Sequence, residues 1–302
     1  MPAKRLLTLL KPYLRWVIVG GTLFFVAKAL KDHWQEVAAI ELTAASWACL
    51  STALGLTLLA HIWSGWVWGW ILAAFGRPLG GIWSVQVYLQ TNIAKYLPGN
   101  VLHFYGRIRA VQATGTSASK AILSVVMEPL LMLAAALMLA TVGSSSFWLI
   151  RLAVLLAVLI GVHPYFFNPT LQKLSQAKAK AQKLAEPAPI APLSRYPLKP
   201  LLGELGFVAL RAAGFIVTIA ALQPLSWQQL LPLTGGFSIA WLLGLVVPGA
   251  PGGVGVFEAA AIALLGPLLP TAVLLSGIAF YRLISTLAEV MGAGLIWLDR
   301  PV

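Results

Sequence analysis

Long apolar stretches, most of them close to the length that crosses a bilayer, follow one another along the chain. They cover residues 13–30, 47–75, 121–142, 147–162, 201–222 and 270–298. A transmembrane helix needs about 20 mainly apolar residues, so this pattern predicts six full spans. Polar stretches separate the spans, the longest at 163–200, where residues around 171–184 are amphipathic and the following segment is rich in proline. The predicted fold class is therefore an all-α polytopic membrane protein.

Two further stretches are interrupted by proline and glycine. The first reads AKYLPGNVLHFYGRIRA and is broken at Pro98 and Gly99. The second reads LVVPGAPGGVGVFEAAA, and its helix-breaking residues are Pro248, Pro251, Gly252, Gly253 and Gly255. Proline removes a backbone donor, and broken backbone in hydrocarbon must be satisfied by protein or water. Both stretches are therefore predicted to form re-entrant helical hairpins that enter and leave the membrane on the same side.

In each broken stretch a charged residue follows the glycine-containing part, and the next span carries a charge of the opposite sign. Arg107 is followed by Glu128, and Glu258 is followed by Arg282. The exchange of signs suggests an internal duplication, with repeat units at 79–142 and 227–298. If the N-terminus is cytoplasmic, the two units start on opposite sides of the membrane, which is the inverted repeat common among transporters.

These four charges predict a polar centre in the protein. A charge at the middle of a bilayer costs at least about 2.5–3.5 kcal/mol, so we expect the four side chains to converge near the two hairpin tips. One interpretation is a pair of ion bridges that fix the fold. The other is a binding site for a charged headgroup, in which Arg282 or Arg107 holds a phosphate and the two carboxylates tune release.

Composition supports a membrane protein and excludes several other classes. Of the 302 residues, 59% are hydrophobic and only 10% are charged, against about 25% charged in soluble domains. The net charge of +12 falls mostly in polar loops, where Lys and Arg mark the cytoplasmic side; we expect both termini and residues 163–200 there, and no nucleic-acid partner. Cys49 is the only cysteine, and the sequence shows no zinc-site spacing, phosphate loop or catalytic triad. We expect neither metal, cofactor nor enzyme activity.

Three motifs resemble the lysylphosphatidylglycerol synthase transmembrane-region family. The most specific is Pro-Gly-Gly-x-Gly-x-x-Glu, which starts at Pro251 and ends at Glu258. The others are the Tyr281-Arg282 pair in AFYRLISTLAEVMGAGLIWL and an upstream pattern whose members are Asn92, Lys95, Pro98, Gly99 and Arg107.

The resemblance implies two re-entrant hairpins and a role in moving lipids or lipid-linked sugars between the leaflets of a bacterial inner membrane, with membrane lipids as partners. It also marks Asn92, Lys95 and Tyr281 as substrate-binding candidates. The flippase half of the multiple peptide resistance factor belongs to this family and precedes a soluble aminoacyltransferase domain, whose activity we do not carry over to this 302-residue chain. Two alternatives stay open, an accessory subunit of a membrane complex and a small-solute or ion-coupled transporter.

Overall fold

A computed structural model describes residues 38–96, 101–143, 148–181, 192–247 and 251–298, together with Lys31 and Gln35. The predicted first span at 13–30, and the hairpin residues Pro98, Gly99 and Pro248, lie outside the described residues. The helices are α1 (Ala44–Ala74), α2 (Gly81–Asn92), α3 (Leu102–Ala113), α4 (Ala118–Gly143), α5 (Trp148–Val162), α6 (Pro164–Ala181), α7 (Leu198–Ala220), α8 (Trp227–Val246), α9 (Val256–Leu265) and α10 (Thr271–Leu298).

Five of these helices are long and apolar enough to cross a membrane: α1, α4, α7, α8 and α10. Four of the five match predicted full spans. The fifth, α8, was predicted as the entering arm of the second hairpin, yet its 20 residues reach about 30 Å, the thickness of the hydrocarbon core. By length alone, α8 is therefore a candidate span.

The predicted span at 147–162 corresponds to α5, which is short for a transmembrane helix. Helix α5 has 15 residues and bends by 71° into α6. Only the bent pair together reaches the length of a span. The break falls where Pro164 follows His163, because the residue before a proline disfavours the α conformation. The amphipathic helix expected near 171–184 is present within α6.

Both broken stretches form packed helix pairs rather than continuous helices. In the first hairpin, residues 81–113, α2 ends in a 3₁₀ turn at Ile93–Tyr96 and packs against α3. Each arm has 12 residues, about 18 Å, too short to span. In the second hairpin, residues 227–265, a 3₁₀ turn at Pro251–Gly253 joins α8 to α9, and these helices also pack together. Same-side entry and an inverted repeat stay predictions.

Helices α1 and α7 pack closely along their lengths, and small residues allow this. Added β-carbons at Gly203 and Gly206 of α7 would lie 2.6 Å from Val67 and 3.1 Å from the indole nitrogen of Trp63. The same indole donates to the Gly203 carbonyl at 2.7 Å. Small residues give membrane helices close van der Waals contact. The pair α1–α7 thus forms a rigid wall, against which α4 and α10 also pack.

Candidate functional site

A cavity of about 210 Å³ lies between the two hairpin tips and helices α1, α4, α7 and α10. We call it the hairpin cavity. On the order of a dozen water molecules would fill this volume. Most of the site residues predicted from the sequence line it: Asn92, Lys95, Arg107, Glu128, Gly252, Gly253, Tyr281 and Arg282. Glu258 stands directly behind the wall as the ion-pair partner of Arg282, whereas Pro251 and Gly255 shape the turn without lining the cavity.

The first predicted charge pair closes one end of the hairpin cavity. Arg107 of α3 and Glu128 of α4 form an ion pair in which both side chains are only 2% exposed. The guanidinium also stacks over the ring of Tyr88, with its central carbon 3.9 Å from the ring centroid. Ion pairing and a desolvated cation–π contact together hold this arginine in place.

A second carboxyl group, that of Glu204, lies near the Arg107–Glu128 pair. Glu204 of α7 interacts electrostatically with Glu128 and Arg107, is fully buried, and has no hydrogen-bond partner for either oxygen among the described residues. An isolated ionised carboxylate without hydrogen bonds is very costly inside a protein. Glu204 is therefore best accounted for as a neutral acid.

The second predicted charge pair holds the turn of the second hairpin. Arg282 Nε donates to Glu258, and its Nη1 and Nη2 donate to the carbonyls of Gly252 and Gly253, both at 2.8 Å. Glu258 in turn accepts from the Gly255 backbone N–H at 2.6 Å, at the first turn of α9. A carboxylate there also complements the positive end of the helix. This explains why an acidic residue follows the break: it caps the new helix and orients the arginine that satisfies the broken backbone.

The tip of the first hairpin is fastened to α10 as well. Lys95 Nζ lies 2.5 Å from Glu289 Oε1, and the carboxylate is 2% exposed as a residue. His61 Nε2 of α1 lies 3.2 Å from the same oxygen. Arg282 and Glu289 are seven residues apart on α10, two helical turns, so one face of this helix contacts both hairpins.

The two tips meet at the rim of the hairpin cavity. A β-carbon added to Gly252 would lie 2.7 Å from Cε1 of Tyr96, and Gly252 has a φ of +59°. The Tyr96 hydroxyl is 3.4 Å from Thr286 Oγ1 of α10. Only a residue without a β-carbon allows this close approach at a left-handed backbone position.

Tyr281 has a structural environment that the sequence did not reveal. Its ring packs with Phe215, Phe237 and Phe257, at centroid separations of 5.4, 5.5 and 6.0 Å, and joins α7, α8, α9 and α10. Its hydroxyl donates to the Arg211 carbonyl at 3.2 Å. Tyr281 is 1% exposed, so it shapes the cavity floor mainly by packing.

The cavity wall also includes polar residues outside the site predicted from the sequence, among them His61, Arg211, Ser285 and Glu289. Arg211 lies next to His61 (Nη1 to Nε2, 3.3 Å) and Ser285 (Nη2 to Oγ, 3.2 Å). A usable signal existed in α10, because positions 282, 285 and 289 follow the 3–4 spacing of one helix face. No local pattern connects that face with His61 or Arg211.

Comparison with known proteins supports a lipid-related membrane protein. No curated protein matches the chain. A family model described as the lysylphosphatidylglycerol synthase TM region matches residues 13–291, which is most of the sequence, and the chain therefore belongs to that family.

Proposed function

We propose that this protein is a translocase that moves a phospholipid or a lipid-linked sugar between leaflets, with the headgroup held in the hairpin cavity. Its role is transfer and not chemical conversion of the lipid. Membership of a family related to lipid handling supports this proposal. So does the concentration of charged side chains at one cavity, since intramembrane charges mark substrate pathways more often than they stabilise a fold.

The observation that carries the proposal is the border of the cavity. Lys95 and Arg282, both on its wall, keep 20% and 24% of their side chains exposed, so the cavity reaches the outside. Apolar residues near these two in the sequence are exposed: Ile93 (38%), Leu283 (55%) and Leu287 (44%). A polar interior bordered by apolar surface suits a molecule with a charged headgroup and hydrocarbon tails, because each part finds a matching environment.

The same border bears on the two alternatives. An accessory subunit whose charges only fixed the fold would be best served by a packed centre, yet the centre holds an open volume. A small-solute carrier needs a route bordered by water on both sides, whereas Leu283 and Leu287 give exposed apolar surface to α10, the helix that carries Arg282. Lateral access from the lipid is the simplest use of this arrangement.

Transfer in proteoliposomes tests the proposal. The full chain is reconstituted into vesicles that contain acyl-labelled fluorescent phosphatidylglycerol, and a membrane-impermeant quencher reports the fraction of label that reaches the outer leaflet. We expect the protein to increase the transfer rate over protein-free vesicles, and Arg107→Gln to reduce it strongly. Arg109→Gln is the matched control, because Arg109 lies on the same helix but is exposed.

Two results would contradict the proposal. Transfer equal to that of protein-free vesicles, tested with phosphatidylglycerol, phosphatidylethanolamine and an undecaprenyl-linked sugar, would remove the translocase. Equal loss in Arg107→Gln and Arg109→Gln would show that the buried charge pair has no special part in it.

A further inference from the structure

We infer that Arg211 is the residue that anchors the substrate, and that the group it binds is the phosphodiester of a lipid whose headgroup carries a net negative charge. The inference rests on the proposed function and names the substrate class and the anchoring residue of that site. It replaces the expectation that Arg107 or Arg282 holds the phosphate.

Both arginines predicted to bind phosphate already have a carboxylate as counter-anion. Arg282 uses Nε on Glu258 and its two Nη atoms on the carbonyls of Gly252 and Gly253. A phosphate would have to break the contacts that close the hairpin turn. Arg107 is paired with Glu128 and stacked on an aromatic ring. These two are positioning residues that hold the hairpins around the cavity.

Arg211 differs from them in its ion pairing, although it too lies over an aromatic ring, with its central guanidinium carbon 5.1 Å from the Tyr281 ring centroid. Among the described residues no carboxylate forms an ion pair with its guanidinium. Its two polar contacts are to uncharged groups, the imidazole of His61 and the hydroxyl of Ser285, at 3.3 and 3.2 Å. Its Nε is buried and has no acceptor within the described parts of the chain, while the residue is only 6% exposed and lines the cavity. A buried guanidinium in this state lacks a counter-anion.

The geometry around His61 shows that its two contacts compete. The Nε2 atom lies 3.2 Å from Glu289 and 3.3 Å from Arg211. In one tautomer Nε2 donates to the carboxylate, and in the other it accepts from the guanidinium, but it cannot do both. An anion bound to Arg211 would leave the imidazole free to donate to Glu289. The free Nε and one Nη of Arg211 would then form the two-pronged contact that guanidinium makes with phosphate oxygens.

The charge balance indicates the class of headgroup. Among the described residues, the hairpin cavity and the ion-pair partner behind it carry four cations, Lys95, Arg107, Arg211 and Arg282, against three carboxylates, Glu128, Glu258 and Glu289. With Glu204 neutral, one positive charge is left without a partner. A phosphodiester carries one negative charge, so an anionic headgroup neutralises the site. A zwitterionic headgroup brings its own cation and leaves the balance unchanged.

Lipid binding to the detergent-solubilised, delipidated full chain tests this inference. The probes are phosphatidylglycerol and phosphatidylcholine with identical acyl chains, and inorganic phosphate. Retained lipid is measured by native mass spectrometry, and the shift in thermal unfolding by tryptophan fluorescence. We expect phosphatidylglycerol to raise the unfolding temperature of both the unaltered protein and the Arg109→Gln variant. We expect Arg211→Gln to weaken that binding at least tenfold and Arg211→Lys, which keeps the charge but loses the two-pronged geometry, to fall between them.

A purely structural role for Arg211 predicts a different readout. If it only tied α1, α7 and α10 together, Arg211→Gln would lower the unfolding temperature of the lipid-free protein well below that of Arg109→Gln. The anchor predicts no such large loss, because Arg211→Gln removes a buried charge without a counter-anion and breaks no ion pair among the described residues. A Gln variant that fails to fold would therefore count against the inference.

The remaining outcomes separate this inference from the proposed function. If Arg211→Gln binds phosphatidylglycerol as tightly as the unaltered protein, while that protein transfers lipid in vesicles, the anchor is wrong and the translocase stands. If the unaltered protein neither binds nor transfers any of the lipids, the proposed function fails and the anchor with it. Equal stabilisation by phosphatidylcholine would overturn the anionic class, and equal stabilisation by inorganic phosphate would overturn the lipid as its source.

Discussion

Two buried glutamates should respond differently to the same substitution. Glu128 is 2% exposed and Glu204 is fully buried, so burial does not distinguish them. Their partners do: Glu128 is paired with Arg107, and Glu204 has neither a cation in ion-pair contact nor a hydrogen bond among the described residues. We therefore expect Glu128→Gln to destabilise the protein and Glu204→Gln to have a clearly smaller effect.

The expected loss in the free energy of unfolding depends on which groups each substitution leaves unpaired. Removing one partner of a buried pair costs about 3–5 kcal/mol. The Gln carbonyl still accepts a hydrogen bond from the Arg107 guanidinium, and a hydrogen bond to a charged group contributes about 1.5–3 kcal/mol. The net cost for Glu128→Gln is therefore about 2 kcal/mol. Gln resembles a neutral carboxylic acid in shape and charge, so Glu204→Gln breaks no ion pair and should cost clearly less than Glu128→Gln.

Thermal unfolding in one detergent and at one lipid content measures the difference. At roughly 2–4 °C per kcal/mol for a large domain, Glu128→Gln should lower the Tm by about 4–8 °C, and Glu204→Gln by clearly less. The reasoning is refuted if Glu204→Gln lowers the Tm as much as Glu128→Gln. Glu204 would then be ionised in the folded protein, and the excess positive charge of the hairpin cavity would disappear with it.

Three further predictions concern the hairpins and the topology. Gly252→Ala should abolish lipid transfer, because its left-handed backbone costs about 1–2 kcal/mol with a side chain and the new methyl group would collide with the other tip; unchanged transfer in vesicles would contradict the contact between tips. Lys95→Gln and Glu289→Gln, measured singly and together by thermal unfolding, should be non-additive by about 0.5–3 kcal/mol, as coupled residues are, whereas additivity would exclude their ion pair. Cysteines placed at positions 40 and 190 should be labelled from opposite sides of intact cells, with position 190 protected from outside; the reverse pattern would invert the predicted topology.

The parts of the fold that the sequence predicted correctly are those set by local composition. Apolar runs identified α1, α4, α7 and α10 as spans, because burial in hydrocarbon requires an unbroken helix of a certain length. The same rule does not decide between a span and a re-entrant arm in two places. Helix α5 stops after 15 residues at a proline, and the arm of the second hairpin reaches the length of a span, which hydropathy alone cannot separate from re-entry.

For the charged residues, too, the sequence predicted some features of the site and missed others. Arg107 with Glu128, and Glu258 with Arg282, are 21 and 24 residues apart. The repeated order of break, charge and opposite charge brought these four residues together, with ion pairs as one of two interpretations. The sequence could not predict that Arg282 is unavailable to a ligand. Its guanidinium donates to the Gly252 and Gly253 carbonyls, which only the turn at 251–253 makes available as acceptors. The contact between His61 and Arg211 spans 150 residues and arises only from the packing of α1 on α7.

Fastening both hairpin tips to the same face of α10 has a mechanical consequence. Arg282 holds the tip of the second hairpin and Glu289 holds the tip of the first. The two residues lie two turns apart on the single helix α10. A rotation of α10 about its axis would move Arg282 and Glu289 away from both hairpins at once. A translation of α10 along its axis would strain both contacts in the same direction. The positions of the two tips are therefore coupled through α10. One residue inserted between positions 282 and 289 would rotate Glu289 by about 100° relative to Arg282. This change would uncouple the two tips while leaving each hairpin intact.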